Sequence, residues 1–354
     1  MFPTFHILLP VSLVIFTINF TAARAQTLSE ADLQATRAML AAAQSGDWNR
    51  AYAELAPIGD PLPLKILHWM DYSRSGAPGR FSAVAEFIEK NADWPRQKAL
   101  RKHAEEALAG ESDGVAADWF KRFPPVSAVG RMRSAEIMLN SGNLDDGTAA
   151  LRAAWVDGDF GVLDERSFLA RHSAAIRVED NEKRLDRLLW DGQNDAARRM
   201  LPLVPTDSRS LAEARLALAE QTSNAEVLAA RVPVQLRADP GLIYQELHWR
   251  TKKDMVDAAV QILLSKPGDP VRPAAWWAER QTIARRVMAA DDAGLAYRIV
   301  EQHGLIEGSA YSEAEFLLGY IALRYMKNPA LASDHFSHIL TRVSSPYAKA
   351  RAGY

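Results

Sequence analysis

The chain contains no cysteine. Disulfide frameworks, thiolate metal sites and cysteine nucleophiles are thereby excluded, and a protein of this size must hold itself together with its apolar core alone. Charge of one sign is not in excess either. The formal net charge is −2, which leaves no global basic footprint for nucleic acid. The small arginine clusters at residues 131–133 and 285–286 are too short to supply a local one. Strand-like alternation, a phosphate-cradling glycine loop, a serine nucleophile elbow and an H-E-x-x-H motif are all missing. Low-complexity tracts are absent too, and 48% hydrophobic residues make the chain globular rather than disordered.

Long apolar runs are also scarce. One occurs, at residues 7–20, followed by Thr21-Ala22 and then Ala23-Arg24-Ala25, a small-x-small cleavage site before Gln26. Its length of about 14 residues is short of the roughly 20 that a bilayer core requires. No Lys or Arg precedes it, only the amino terminus and His6. The pattern predicts a signal peptide over residues 1–25. The mature chain is then exported and periplasmic, without stable membrane insertion once the signal is cleaved.

What is present is helical period almost everywhere. Ala, Leu, Arg and Glu dominate, and Gly and Pro fall between periodic stretches. One junction recurs: Ser45-Gly46-Asp47-Trp48, Ser141-Gly142-Asn143-Leu144, Asp191-Gly192-Gln193-Asn194, Ala290-Asp291-Asp292-Ala293 and Lys327-Asn328-Pro329-Ala330. Glycine supplies the left-handed turn that ends one helix, and Asp or Asn caps the next. The spacing suits helix pairs of roughly 34–45 residues, although no strict repeat consensus is met. The expected fold is all-α, an irregular α-solenoid or superhelix of stacked helix pairs over residues 26–354. Proline-rich joints at residues 57–63, 124–125, 202–205 and 267–273 set turns between helices, and the stretch 266–273 is the best place for a subdomain break.

At about 100° per residue, Phe316, Leu317, Tyr320 and Leu323 share one side of a helix over residues 311–326. Leu318, Ile321, Ala322 and Tyr325 fill most of the rest, so this helix is expected to be enclosed by neighbours. On a second helix, from about residue 273 to 289, Trp276, Trp277, Ile283, Ala284, Val287 and Met288 share one broad arc. Arg280 falls in its middle. A guanidinium among apolar side chains must be paired, and Glu313 is the expected ionic partner of Arg280. The rival reading makes Trp276, Trp277 and Arg280, together with Arg324, a surface that contacts sugar rings or peptide carboxylates.

Other chemistry-bearing residues are weak candidates. Glu111-Ser112 is the one Glu-Ser pair, but Gly110, Asp113 and Gly114 around it describe a polar turn rather than a buried acid. His335 and His338 stand at i, i+3 beside Asp334, spacing that a metal could use, but no second ligand-bearing motif accompanies them. The expectation is therefore no metal and no cofactor. Acidic neighbours such as Glu105-Glu106, Asp145-Asp146 and Asp291-Asp292 point about 100° apart on a helix. They cannot face each other across a glycosidic bond.

Over residues 239–354 the order and spacing of certain pieces resemble the helical region ahead of the catalytic domain in soluble lytic murein transglycosylases. The pieces are Asp239-Pro240-Gly241-Leu242-Ile243-Tyr244, His248-Trp249-Arg250, Arg272-Pro273-Ala274-Ala275-Trp276-Trp277-Ala278-Glu279-Arg280, Glu301-Gln302-His303-Gly304 and Glu313-Ala314-Glu315-Phe316-Leu317-Leu318-Gly319-Tyr320-Ile321-Ala322-Leu323-Arg324. Before residue 239 the likeness is diffuse and confined to helix-pair style and features such as Asp93-Trp94-Pro95. The resemblance implies a periplasmic scaffold that guides peptidoglycan glycan strands. The chemistry it implies is non-hydrolytic cleavage giving 1,6-anhydro ends, performed by a Glu in a lysozyme-like domain. No residue of this chain matches that Glu, and the expectation is a scaffold lacking its catalytic domain. Two alternatives remain open: a freestanding periplasmic helical-repeat interaction protein, and an enzyme with its site inside the coil.

Overall fold

The computed structural model describes residues 28–56, 58–74, 80–265 and 271–353. The expected signal peptide and most of the joint at residues 266–273 lie outside the described residues. Among those described, all regular structure is helical, with twenty α-helices and no strand. None of these helices is long and apolar enough to cross a membrane. The chain gathers into two compact units, with the boundary after Ser112.

The first unit carries α1 (Glu30–Gln44), α2 (Trp48–Glu54), α3 (Pro61–Tyr72), α4 (Phe81–Lys90) and α5 (Gln97–Ala107). Met39, Ala42, Ala51 and Leu67 form its first core, packing α1 against α2 and α3. Farther along, aromatic rings take over. Tyr72, Phe87 and Trp94 meet edge to face at 5.8 and 5.9 Å, and Trp69 reaches Trp94 at 6.2 Å. Trp69 also donates its indole N–H to the carbonyl of Pro95 at 2.8 Å, so the Asp93-Trp94-Pro95 turn is fixed by a polar bond as well as by packing.

The second unit carries α6 (Asp113–Arg122), α7 (Ala128–Asn140), α8 (Leu144–Asp157), α9 (Val162–His172), α10 (Val178–Trp190), α11 (Asn194–Met200), α12 (Thr206–Ala219) and α13 (Ala225–Arg231). It continues through α14 (Pro240–Lys252), α15 (Val256–Ser265), α16 (Pro273–Ala289), α17 (Ala293–Glu301), α18 (Gly308–Arg324), α19 (Pro329–Arg342) and α20 (Pro346–Gly353). Successive pairs stack in chain order: α7 on α8, α8 on α10, α10 on α12, α12 on α14, α14 on α16 and α16 on α18. This is the expected all-α, solenoid-like stacking, seen here within one unit. The helices α15 and α16, which flank the 266–273 joint, share one hydrophobic core.

The turns between paired helices repeat one hydrogen-bond pattern. In each, the backbone N–H three residues past the helix reaches back five residues: Asp47 to Ala42, Asn143 to Met138, Gln193 to Leu188, Thr222 to Ala217, Met255 to Arg250 and Asp292 to Val287. The residue just before each donor takes positive φ, as in Gly46 at 83° and Gly142 at 86°. This is the Schellman closure, which satisfies carbonyls that a helix end would otherwise leave bare. Gln221 at φ 55° and Asp254 at 58° hold the same place without glycine, so these two junctions escape the sequence pattern. Asp47, Asp292 and Asn328 then accept from backbone N–H groups of the following helix, as the sequence predicts. Pro61, Pro240, Pro273, Pro329 and Pro346 each open a helix, where a missing N–H costs nothing.

Arginines cross between layers to finish the remaining carbonyls. Arg184 bonds the carbonyls of Trp155 and Gly158, both at 2.6 Å, and Arg187 bonds that of Val156 at 2.7 Å. Arg152, Arg209 and Arg286 do the same for Ala175, Leu201 and Thr251. Trp155 and Phe168 stack at 4.8 Å under Arg184, and both are fully enclosed. Burying a large apolar side chain contributes about 2–3 kcal/mol.

Candidate functional site

The helices α16, α18, α19 and α20 shape a concave surface near the end of the second unit. On α18, Tyr311, Ala314, Glu315, Leu318, Ile321 and Ala322 are buried at i, i+3, i+4, i+7 spacing. Gly319 lets α19 come close, because a Cβ there would lie 2.5 Å from the Phe336 ring. The other side of α18 is open. Phe316 and Leu317 are half-buried, whereas Tyr320, Leu323, Tyr325 and Met326 are exposed. The expectation that this helix is enclosed all round is therefore corrected. Neighbours cover one face, and the apolar residues of the second face solvent.

Two adjoining cavities lie along that open side. One, of about 400 Å³, is lined by Gln281 and Arg285 of α16 with Glu313, Phe316 and Tyr320 of α18 and Arg351 of α20. The other, of about 390 Å³, shares Glu313, Phe316 and Arg351 and extends past Ser309, Arg342 and Tyr347. The Arg351 guanidinium sits 3.5 Å from the Phe316 ring centre and holds α20 against α18. The groove thus combines ring faces with carboxylate, amide and guanidinium groups. Apolar C–H faces stack on rings, and hydroxyls bond planar polar side chains.

Trp276, Trp277 and Arg280 are not on this surface. All three are buried, Arg280 completely. Tyr244 packs on Trp276 at 5.9 Å and on Trp190 at 5.1 Å, an aromatic ladder joining three layers. A glycan-contact role for Trp276, Trp277 and Arg280 is thereby corrected, since the arc that carries them is the arc that α16 turns to the core. The buried guanidinium is as expected, but its expected partner is not. Arg280 donates to the carbonyls of Ile299 at 2.9 Å and Leu263 at 3.4 Å, near the C-terminal ends of α17 and α15. Burial pushes its pKa down to about 10. Glu313 instead accepts from the Trp277 indole N–H at 3.4 Å. Arg324 is exposed at the end of α18, where its carbonyl accepts from Lys327 at 2.7 Å. Of the sequence candidates, the groove contains Glu313. Its other lining residues were missed, although Gln281 and Arg285 stand at i, i+4 on the flank of the apolar arc.

A second cluster lies behind the groove. Glu315 of α18 is buried and faces three imidazoles. His335 Nδ1 is 2.7 Å from its Oε2, His338 Nδ1 is 3.1 Å from the same oxygen, and His303 Nε2 is 3.4 Å from Oε1. His335 Nε2 in turn lies 2.8 Å from the Tyr297 hydroxyl. Burial by itself raises the Glu315 pKa, but the hydrogen bonds from the three histidines hold it far below the ordinary glutamate value of 4.5. The i, i+3 histidine pair is legible in the sequence. Its carboxylate partner, on the facing helix, is not.

Glu111 follows a short 3-10 turn at the close of the first unit and is half-buried beside exposed Ser112. With this geometry in place, comparison with known proteins adds no identity: no protein-family model matches the chain, and no curated protein is similar to it.

Proposed function

We propose that the chain is a periplasmic helical scaffold that holds peptidoglycan glycan strands, of the kind lytic murein transglycosylases carry beside a lysozyme-like domain. The observation that carries this reading is the groove along the open side of α18. Its exposed Tyr320, half-buried Phe316 and flanking Arg285, Glu313 and Arg351 suit amino-sugar rings and their acidic peptide stems. The residues that carry the family resemblance lie on the layers α14 to α18 that build and support this groove. In this reading the chain positions the strand, and glycosidic cleavage belongs to a separate catalytic module.

Co-sedimentation with purified murein sacculi tests it. The purified chain is expected to pellet with sacculi, and Tyr320→Ala with Arg285→Ala to lower the bound fraction at least fivefold while leaving the circular dichroism spectrum unchanged. Binding that survives the double variant removes the groove from the reading, and a chain that stays in the supernatant removes the function. Zymography on murein should show no clearing zone.

The exposed apolar stripe Leu323, Tyr325 and Met326 favours a second reading, a helical-repeat adaptor for a protein partner. A chain that ignores sacculi, yet loses a periplasmic crosslink on Leu323→Asp, would select it.

A further inference from the structure

We propose that Glu315, His335 and His338 form a site for one divalent first-row transition ion, best fitted by zinc, that clips α18 to α19. Each of the three residues offers one potential ligand atom, and these atoms all lie within 4.8 Å of one another. Around a tetrahedral zinc with bonds of about 2.0–2.1 Å, neighbouring ligand atoms stand about 3.3 Å apart. The present separations from the carboxylate oxygen, 2.7 and 3.1 Å, need to open by about 0.6 and about 0.2 Å to reach that value. Two imidazoles and one carboxylate form a nitrogen–oxygen set of borderline softness. Calcium and magnesium, which demand six or more oxygens, are poorly served by it.

The surroundings match what a metal centre requires beyond its ligands. If His335 binds through Nδ1, its Nε2 carries the proton and donates to Tyr297 Oη at 2.8 Å, which fixes the ring plane. The backbone N–H of Leu305 donates to His303 Nδ1 at 2.9 Å, so the His303 proton resides on Nε2, which faces the second carboxylate oxygen of Glu315 at 3.4 Å. A ligating carboxylate is thereby steadied from behind. An open path exists as well. The His338 side chain is 48% exposed, so an ion and its remaining water can approach from that side.

Proton accounting is simple. In the metal-free state His335 and His338 donate Nδ1–H to Glu315. On binding, each moves its proton to Nε2, where His335 meets Tyr297 and His338 meets water. No redox change is involved, and the ion replaces two hydrogen bonds by three coordinate bonds. Because His335 and His338 sit one turn apart on α19 while Glu315 sits on α18, the ion ties two helices of the terminal hairpin. This inference does not depend on the glycan reading above.

The test uses the untagged full-length chain, freed of metal by chelator and dialysis, and titrated with zinc chloride by calorimetry. Uptake of one equivalent is expected, together with a rise in Tm and, on cobalt substitution, the visible absorption of a tetrahedral nitrogen–oxygen centre. His338→Ala alters a half-exposed side chain and should fold normally, but lower zinc affinity at least tenfold and abolish the Tm rise. Tyr297→Phe should weaken binding less than His338→Ala does. Glu315→Gln provides a second ligand variant, judged by cobalt absorption alone. Absence of uptake, or uptake equal in wild type and His338→Ala, overturns the site. Sacculus binding that persists without zinc would leave the scaffold reading standing.

Discussion

Among the charges buried in the second unit, the cation at Arg184 and the anion at Glu315 are accommodated by different chemistry. Arg184 is fully enclosed between α8 and α10. It spends one nitrogen on the carbonyls of Trp155 and Gly158 and another on Glu165 at 3.2 Å, with the Trp155 ring beneath its guanidinium at 4.2 Å. Burial lowers its pKa to about 10, partly opposed by Glu165, and it stays a cation under ordinary conditions. Glu165 in turn takes two further bonds from Arg199. Every one of these partners is fixed: a guanidinium has no lone pair to offer and a carbonyl has no proton to exchange. The partners of Glu315 are imidazoles, each of which can act as donor or ligand. The comparison teaches that the first charge can only hold helices together, whereas the second is chemically equipped to respond to what binds it.

Removing the fixed cation should give the largest effect. Arg184→Ala strips two carbonyls and leaves Glu165 with Arg199 alone, so a loss of about 3–5 kcal/mol is expected in urea unfolding. A loss under 1 kcal/mol would show that the layer is not built around that charge. Next comes the contact that brings α18 to α19 beside the anion. Gly319→Ala places a methyl 2.5 Å from the Phe336 ring edge, one residue from His335. It should cost about 1–3 kcal/mol and broaden the imidazole proton signals of His335 and His338 by NMR. Unchanged histidine signals would separate the packing from the cluster.

Another buried carboxylate, Glu279 on α16, sharpens the comparison through pH. Burial raises its pKa, but the hydrogen bond from His248 at 2.7 Å and the charge there outweigh burial and hold it below the ordinary 4.5. A carboxyl lowered in the folded state stabilises the fold above its unfolded value and gives that contribution up as pH falls through the folded one. Stability should therefore drop more steeply in wild type than in Glu279→Gln as pH falls below 4.5 toward the lower folded value, followed by thermal melts. Parallel acid limbs would mean that Glu279 is not the titrating group. At the other extreme stands the exposed pair Lys90–Glu86 on α4, at 2.6 Å and open to water on both sides. Glu86→Gln should leave the urea midpoint unmoved, since solvent already screens that pair.

Much of the fold was legible because it depends on local chemistry. Gly46, Gly142 and Gly192 mark helix ends, since a residue without Cβ enters the left-handed region at no steric cost. The junctions at Gln221 and Asp254 were hidden because neither residue announces that conformation; tertiary packing imposes it. At the candidate site the burial of Arg280 follows from its place in an apolar arc, but the identity of its partners does not. The helix ends that deliver the carbonyls of Leu263 and Ile299 are set by how α15 and α17 stack. Glu315 gave no signal, being one more acid on a helix until α19 and the turn before α18 place three imidazoles around it.

Helical period, caps and the alternation of helix with tight turn were thus determined by the order of residues alone, because each rests on interactions within about five positions of the chain. Which face of α18 is sealed and which is open was decided only by tertiary structure. So was the meeting of a buried carboxylate with its histidines. Both depend on distances between helices, and periodicity within a single helix carries no record of those.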